Sequence, residues 1–157
     1  MYASYLLMVF SFIGLFITGL IGYFNTSFIG ANHIQFSLIS SILYMFTETL
    51  IMFYFIATGK NIKKFIMRNN LDINMYKNIL KMKMKLFPHI MINMIFIGVV
   101  FMIGGAVHNS IINAWQHGLL FYIGFIHFSY LILIQHNCFK KNTELVISLD
   151  KMIKRNN

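Results

Sequence analysis

The sequence is poor in charge, in cysteine and in proline. Charged residues make up 11% of the 157 positions, against about 25% in an average soluble domain. Because 58% of the residues are hydrophobic, a soluble chain of this length would lack the polar surface to cover its core. The single cysteine, Cys138, excludes an internal disulfide and any CxxC metal or redox motif. The composition therefore predicts an integral membrane protein made of one domain, 1–157.

Four apolar runs are long enough to cross ~30 Å of hydrocarbon, which takes roughly 20 residues of helix. They cover approximately 2–24, 34–58, 86–107 and 118–138. A lipid-facing backbone must satisfy its own hydrogen bonds, and the runs are too long for barrel strands. The first run has neither a basic leader nor a small-residue cleavage site, so we expect a span there and not a signal peptide. The expected fold is all-α, a polytopic membrane four-helix bundle.

Basic residues occupy two segments only. All 13 Lys and Arg residues lie within 59–85 and 139–157, while the connections 25–33 and 108–117 carry none. The positive-inside rule then places both basic segments and both chain termini in the cytoplasm, an N-in and C-in topology. The expected location is a bacterial-type inner (plasma) membrane or an organellar inner membrane.

The two basic segments are also amphipathic. Residues 59–85 mix Ile, Phe, Met and Leu with Lys at helical spacing, and Thr143 stands where a helix cap would begin the tail. We expect helical extensions lying on the anionic inner leaflet. Because the charges lie next to span ends, no nucleic-acid partner is expected. The apolar face of the tail consists of Leu145, Val146, Leu149, Met152 and Ile153.

Small and polar residues mark the packing faces of the helices. Every seventh residue of the first span is small or polar from Ser4 to Asn25, through Ser11 and Thr18. Small residues on one face let membrane helices approach closely. In the third span, Pro88 either starts the helix or kinks a longer one that begins near residue 72.

The second span carries a polar stripe: His33, Ser37, Ser41, Tyr44 and Glu48. Their spacing places them on one helix face, which we expect to turn toward neighbouring helices. Glu48 would lie ~22 Å from His33 along the helix. An intramembrane carboxylate is costly, so Glu48 is either a functional group or a protonated acid bonded to a neighbouring helix. With Tyr44 and His127 it is a candidate buried hydrogen-bond network.

Three histidines lie at one membrane level in the expected topology: His33, His108 and His117. Adjacent helices pack 8–10 Å apart, so imidazoles at facing helix ends could share a transition metal or a haem iron, for which neutral imidazole is a common ligand. The alternative is that these residues, like Trp115, are interfacial anchors.

A fourth histidine, His127, lies ~15 Å deeper than His117. Besides the hydrogen-bond network, it is a candidate axial ligand of haem b. Gly98 and Gly124 lie nearby and would leave room for a flat macrocycle.

The layout of four helices, scattered histidines and basic inner loops resembles the small haem- or quinone-binding membrane anchors of respiratory complexes. No motif specific to those anchors is present, so the layout identifies no family. The leading hypothesis is a redox subunit that binds haem b or a transition metal, with membrane-protein subunits or a second copy as partners. The alternatives are a non-catalytic accessory or assembly subunit, and a small transporter or proton conductor using Glu48 and His127. Catalysis by the chain on its own is not expected, because 157 residues leave little room for a substrate site and lid.

Overall fold

The computed structural model describes residues 2–28, 30–69 and 71–156, with side chains as far as residue 152. Nearly all of this part of the chain is helical. The four helices are α1 (Tyr2–Phe24), α2 (His33–Arg68), α3 (Asn74–His108) and α4 (Ala114–Asn156). The side chains of Ile153, Lys154 and Arg155, which the sequence analysis placed in the basic tail, lie outside the described part.

All four helices are long and apolar enough to cross a membrane, with mean hydropathies of 1.6 to 2.4 over their most apolar windows. In those windows only 22–39% of the residues are buried. The outward-facing remainder includes large apolar side chains such as Phe10, Phe53, Met102 and Leu133, each more than half exposed. Such a surface suits lipid as the solvent. The prediction of an all-α integral membrane protein with four candidate spans is confirmed.

Local hydrogen bonds set the helix ends. Asn32 and Gln35 form a capping box at the start of α2: each side chain accepts a hydrogen bond from the other's backbone N–H, at 3.0 and 3.1 Å. Before α3, the carboxylate of Asp72 accepts hydrogen bonds from the backbone and side-chain amides of Asn74. These two bonds lower the pKa of Asp72. At the end of α1, Asn25 adopts a left-handed conformation with φ 50°, which asparagine tolerates well.

The main helix contacts are α1 with α2, α2 with α3, α3 with α4, and α1 with α4. The small-residue face of α1 lies against α2, where the Ser11 and Thr47 hydroxyls are 2.9 Å apart. A Cβ on Gly14 would lie 3.2 Å from Oγ of Ser40, so the glycine permits this approach. The structure therefore agrees with the prediction that small residues on this face of α1 allow a neighbouring helix to approach closely.

The helices run well beyond the apolar spans, as the helical spacing of residues 59–85 predicted. The extensions of α2 and α3 continue the spans and bury Ile62, Ile66 and Ile79 against neighbouring helices. This face of the extensions therefore serves helix packing, and their contact with the anionic inner leaflet stays a prediction. Thr143 was wrongly expected to cap a separate tail helix, because α4 continues through it and its hydroxyl donates to the carbonyl of Phe139.

Pro88 lies inside α3, which begins at Asn74, so the longer of the two predicted helices is the one that forms. Without an N–H, Pro88 leaves the carbonyl of Met84 without its helical donor. The two helix connections 25–32 and 109–113 lie at one end of the molecule, called here the loop end. The other end, called the basic end, carries the extensions of α2, α3 and α4.

Candidate functional site

A cavity of about 1190 Å³ occupies the loop end, lined by residues of all four helices and of the connection 25–32. Its wall is formed mainly by the C-terminal turns of α1 and α3 and the N-terminal turns of α2 and α4. Its wall combines hydroxyls, imidazoles, glycines and apolar side chains. The lining residues used below are Thr18, Gly22, His33, Ser37, Ser41, Ile97, Val100, Gly104, His108, Trp115, His117 and Phe121.

Two of the three predicted histidines meet in this cavity. His33 is the first residue of α2 and lies between the capping-box residues Asn32 and Gln35, while His117 lies in the first turn of α4. Their ring centroids are 6.3 Å apart and the ring planes cross at 79°. In both rings Nδ1 is buried and has no hydrogen-bond partner among the described residues. Both imidazoles are half-buried, and each has one buried ring nitrogen whose hydrogen-bonding capacity is not used by the described residues.

Glycines on the other two helices make room for these rings. A Cβ on Gly22 of α1 would lie 2.8 Å from Cε1 of His33, closer than real carbon atoms approach. A Cβ on Gly104 of α3 would lie 3.4 Å from Cε1 of His117. The histidines of α2 and α4 thus rest on bare backbone of α1 and α3. A side chain at Gly22 would displace His33.

The third predicted histidine, His108, ends α3 and lines the same cavity, but it is exposed. Trp115 lies at the mouth and is also exposed. Within the described part of the chain, no three His, Cys, Asp or Glu side chains are grouped closely enough to hold a metal ion. The cavity wall therefore contains two neighbouring imidazoles, those of His33 and His117.

The remaining cavity wall is polar on α1 and α2 and apolar on α3 and α4. The hydroxyls of Thr18 and Ser37 donate to carbonyls of their own helices, Gly14 at 2.8 Å and Ile34 at 2.9 Å. Each hydroxyl can still accept a hydrogen bond, but its own proton is already donated to that carbonyl. Ile97, Val100 and Phe121 provide apolar surface. Such a wall suits a large, mainly apolar ligand.

His127 belongs to a separate polar group, joined by Asn93 of α3. Asn93 is fully buried; its Oδ1 accepts from the hydroxyl of Tyr44 at 2.5 Å, and its Nδ2 lies 2.9 Å from Gly124 O and 2.9 Å from Nδ1 of His127. Because Nδ2 is the donor, Nδ1 of a neutral His127 accepts and its proton is on Nε2. That nitrogen lies 3.4 Å from Nδ1 of His89.

Glu48 is not a hydrogen-bond partner in that group. It is fully buried, and its Oε2 accepts from Nε2 of Gln135, also fully buried, at 2.5 Å. The structure thus contains two hydrogen-bonded groups where we expected one network of Glu48, Tyr44 and His127. Tyr44 and His127 are bridged by Asn93, whereas the acid pairs with α4 at a different level.

The structure provides little support for haem ligation by His127. Both of its ring nitrogens are already within hydrogen-bond distance of Asn93 and His89. A Cβ added to Gly124 would lie 3.2 Å from Cδ1 of Ile97, and a Cβ added to Gly98 would lie 3.1 Å from Cε of Met45. These two side chains fill the space beside the glycines. The room expected for a macrocycle beside His127 is therefore taken by side chains.

Two partners were missed by sequence reasoning. Gln135 lies 18 residues after His117, five full helical turns, and so on the same face of α4; that signal was available. His89, which follows Pro88, was assigned no role from the sequence. Its contact with His127 depends on the relative rotation of α3 and α4, which sequence periodicity does not give.

Comparison with protein-family models, with curated proteins and with solved structures gave no match to this chain. The geometry of the cavity and of the buried polar groups is therefore the basis for assigning a function.

Proposed function

We propose that this protein binds one haem b in the loop-end cavity, with His33 and His117 as the axial ligands of the iron, and that it carries single electrons. One observation supports this proposal above all. Two half-buried imidazoles from different helices lie 6.3 Å apart in the wall of a large cavity, and each has a buried nitrogen without a hydrogen-bond partner among the described residues.

The ring separation fits ligands on opposite sides of one metal. With metal–nitrogen bonds of about 2.0 Å, two imidazoles on one ion have centroids roughly 5 to 6.5 Å apart. The shorter separation belongs to a tetrahedral angle at the metal and the longer to a linear one. The observed 6.3 Å lies at the linear limit, which is the axial arrangement of a six-coordinate haem.

Haem is favoured over a bare metal ion by what surrounds the two rings. A structural zinc site needs four protein ligands and a catalytic site three, yet the described residues offer no group of three. A haem brings four nitrogens of its own and needs only two from the protein. A bare ion also needs no cavity of about 1190 Å³, whereas small-molecule and cofactor pockets usually measure roughly 300–1,000 Å³.

The flanking helices would accommodate the edges of the macrocycle. A haem held by His33 of α2 and His117 of α4 would be flanked by α1 and α3. Those helices present Gly22 and Gly104 to the cavity, so no side chain projects from these positions. When bound, the haem supplies one-electron redox chemistry; the protein holds the iron and surrounds the ring with apolar surface.

The proposal includes an orientation and a setting. The helices form a four-helix bundle with the basic end in the cytoplasm, as the positive-inside rule requires, so the haem lies near the opposite face of the membrane. The membrane is a bacterial-type inner membrane or an organellar inner membrane. The protein serves as a redox subunit with membrane-protein partners, because a haem without a substrate site passes electrons and does not act alone.

A spectral titration tests the proposal. Detergent-purified protein is titrated with hemin, reduced with dithionite, and examined for the Soret and α bands of a six-coordinate haem. His33→Ala and His117→Ala should each weaken haem binding by at least about tenfold, since each removes one iron ligand.

His136→Ala is the matched control, because His136 is an exposed histidine at the basic end that contacts Tyr5. It should bind haem as the wild type does. Equal binding by the wild type and both ligand variants would refute the proposed site.

A further inference from the structure

Helix α1 covers the line along which α2 and α4 meet only as far as Tyr5. Tyr5 near the start of α1 packs on Phe139 of α4, with ring centroids 5.2 Å apart, and Phe139 in turn contacts Tyr54 of α2 at 5.3 Å. Beyond that level, toward the basic end, a groove of about 370 Å³ lies between α2 and α4. Its apolar walls are Ile62 and Phe65 on α2, and Val146 and Leu149 on α4.

This groove lies outside the hydrocarbon layer. Its first residue on α2 is Thr58, the end of the span given by hydropathy. Phe65 follows seven residues later, ~10 Å farther along the helix. The polar headgroup layer adds only about 5–7 Å on each side of the hydrocarbon. Lipid tails therefore do not reach this apolar surface, and Val146 remains 43% exposed.

The basic end as a whole, where the groove lies, carries an excess of cations, although the acidic Asp150 also lines the groove. The described side chains of the basic end include eleven Lys and Arg residues, against the acidic residues Asp72, Glu144 and Asp150. Lys64 and Arg68 stand three residues after the groove residues Asn61 and Phe65, and so flank it on α2. The eleven are Lys60, Lys63, Lys64, Arg68, Lys77, Lys81, Lys83, Lys85, Lys140, Lys141 and Lys151.

We propose that this groove binds an amphipathic helix of an acidic partner protein, which takes the place beside α2 and α4 that α1 occupies within the membrane. Apolar side chains spaced three and four residues apart would fill the groove between Phe65 and Val146, as helices do in apolar grooves. Acidic residues on the flanks of that helix would face the cations. The same extension from a second copy is excluded, because it would bring two strongly positive surfaces together.

The inference is independent of the haem site, which lies at the other end of the molecule. To test it, the protein is placed in nanodiscs of zwitterionic lipid. A fluorescent synthetic amphipathic helix with Leu on one face and Glu on the other is then titrated and its anisotropy measured. A second helix with Lys at each Glu position is the charge control. We expect the Glu helix to bind and the Lys helix not to bind.

Two neighbouring variants separate the groove from general charge attraction. Val146→Glu puts an unpaired charge into the groove and should weaken binding at least about tenfold. Ile147→Glu makes the same charge change at an exposed position outside the lining of the groove, and should leave binding nearly unchanged. Both positions are exposed, so both variants are expected to fold, which gel filtration and circular dichroism verify.

Several results would overturn the proposal. They are no binding of the Glu helix, equal binding of the Lys helix, or an equal effect of the two variants. A photo-crosslinking residue in place of Val146 that attaches only to lipid, with the Glu helix present, would assign the groove to the membrane and would equally overturn it.

Discussion

We expect the variant Asn93→Leu, which removes a buried amide, to show that α2, α3 and α4 stabilise one another through Asn93. Asn93 of α3 accepts from Tyr44 of α2 and donates to Gly124 O and His127 of α4. Leucine has the same branched shape without the polar atoms. In membrane proteins an interhelical hydrogen bond contributes about 0.6 kcal/mol on average, so the loss of three costs about 2 kcal/mol.

In Asn93→Leu the hydroxyl of Tyr44 also loses its hydrogen-bond acceptor, which adds to that cost. Tyr44 is fully buried, and an unsatisfied buried donor costs about 1–3 kcal/mol. Asn93→Leu should therefore lower the free energy of unfolding by about 3–5 kcal/mol, measured by SDS titration in mixed micelles with circular dichroism. In the double variant Tyr44→Phe/Asn93→Leu there is no unsatisfied tyrosine hydroxyl. The cost of the double variant should fall short of the sum of the single costs by about 1–3 kcal/mol.

Ser129→Ala is the control for this cycle. The hydroxyl of Ser129 donates only to the carbonyl of Phe125 in its own helix, so the change should stay within about 0.5 kcal/mol. If the costs of Asn93→Leu and Tyr44→Phe simply add, the two residues are not coupled and the argument fails.

Three further changes address the acid pair, the cavity and the topology. Glu48→Gln keeps an acceptor for Gln135 and should be nearly silent in unfolding, whereas Glu48→Leu orphans that buried amide and should cost about 1–3 kcal/mol. Gly22→Ala brings a Cβ to 2.8 Å from His33, so it should weaken haem binding in the spectral titration while α-helical content is retained. A cysteine in place of Asn109 should react with impermeant maleimide from outside the cell.

Matched controls make these results decisive. A Cβ on Gly105 would meet nothing within 4 Å, so Gly105→Ala should bind haem normally; an equal loss in both glycine variants would contradict the role given to Gly22. Labelling is done with Cys138 replaced by serine, and modification only from the cytoplasmic side would reverse the topology. Comparable destabilisation by Glu48→Gln and Glu48→Leu would mean that the charge of Glu48 stabilises the fold.

The number and position of the helices followed from the sequence because crossing a bilayer demands runs of about 20 apolar residues. The helical extensions beyond the spans also followed, from the helical spacing of apolar residues among the Lys residues. Their packing did not follow: Ile62, Ile66 and Ile79 are buried against neighbouring helices, and the sequence alone does not show which helix covers them.

The inward direction of the stripe on α2 could be predicted, since Tyr44 and Glu48 share a face and neither suits lipid. Their partners could not, because pairing between helices depends on rotation and offset along the axis. His127 and Gln135 are eight residues apart on α4, about 12 Å along the helix axis, so the offset of α4 against α2 decides which of them meets Glu48. The meeting of His33 and His117 was easier to anticipate, because helix ends joined by short connections lie at one level.

The electron paramagnetic resonance spectrum of the ferric, haem-loaded protein tests the central claim most directly. If His33 and His117 are both axial ligands, the wild type gives a low-spin signal. A strongly anisotropic signal is expected, since the ring planes cross at 79°. His33→Ala and His117→Ala should each convert it to the high-spin signal of a haem with one protein ligand. A low-spin signal that persists unchanged in both variants, or a wild type that is high-spin, would contradict the account.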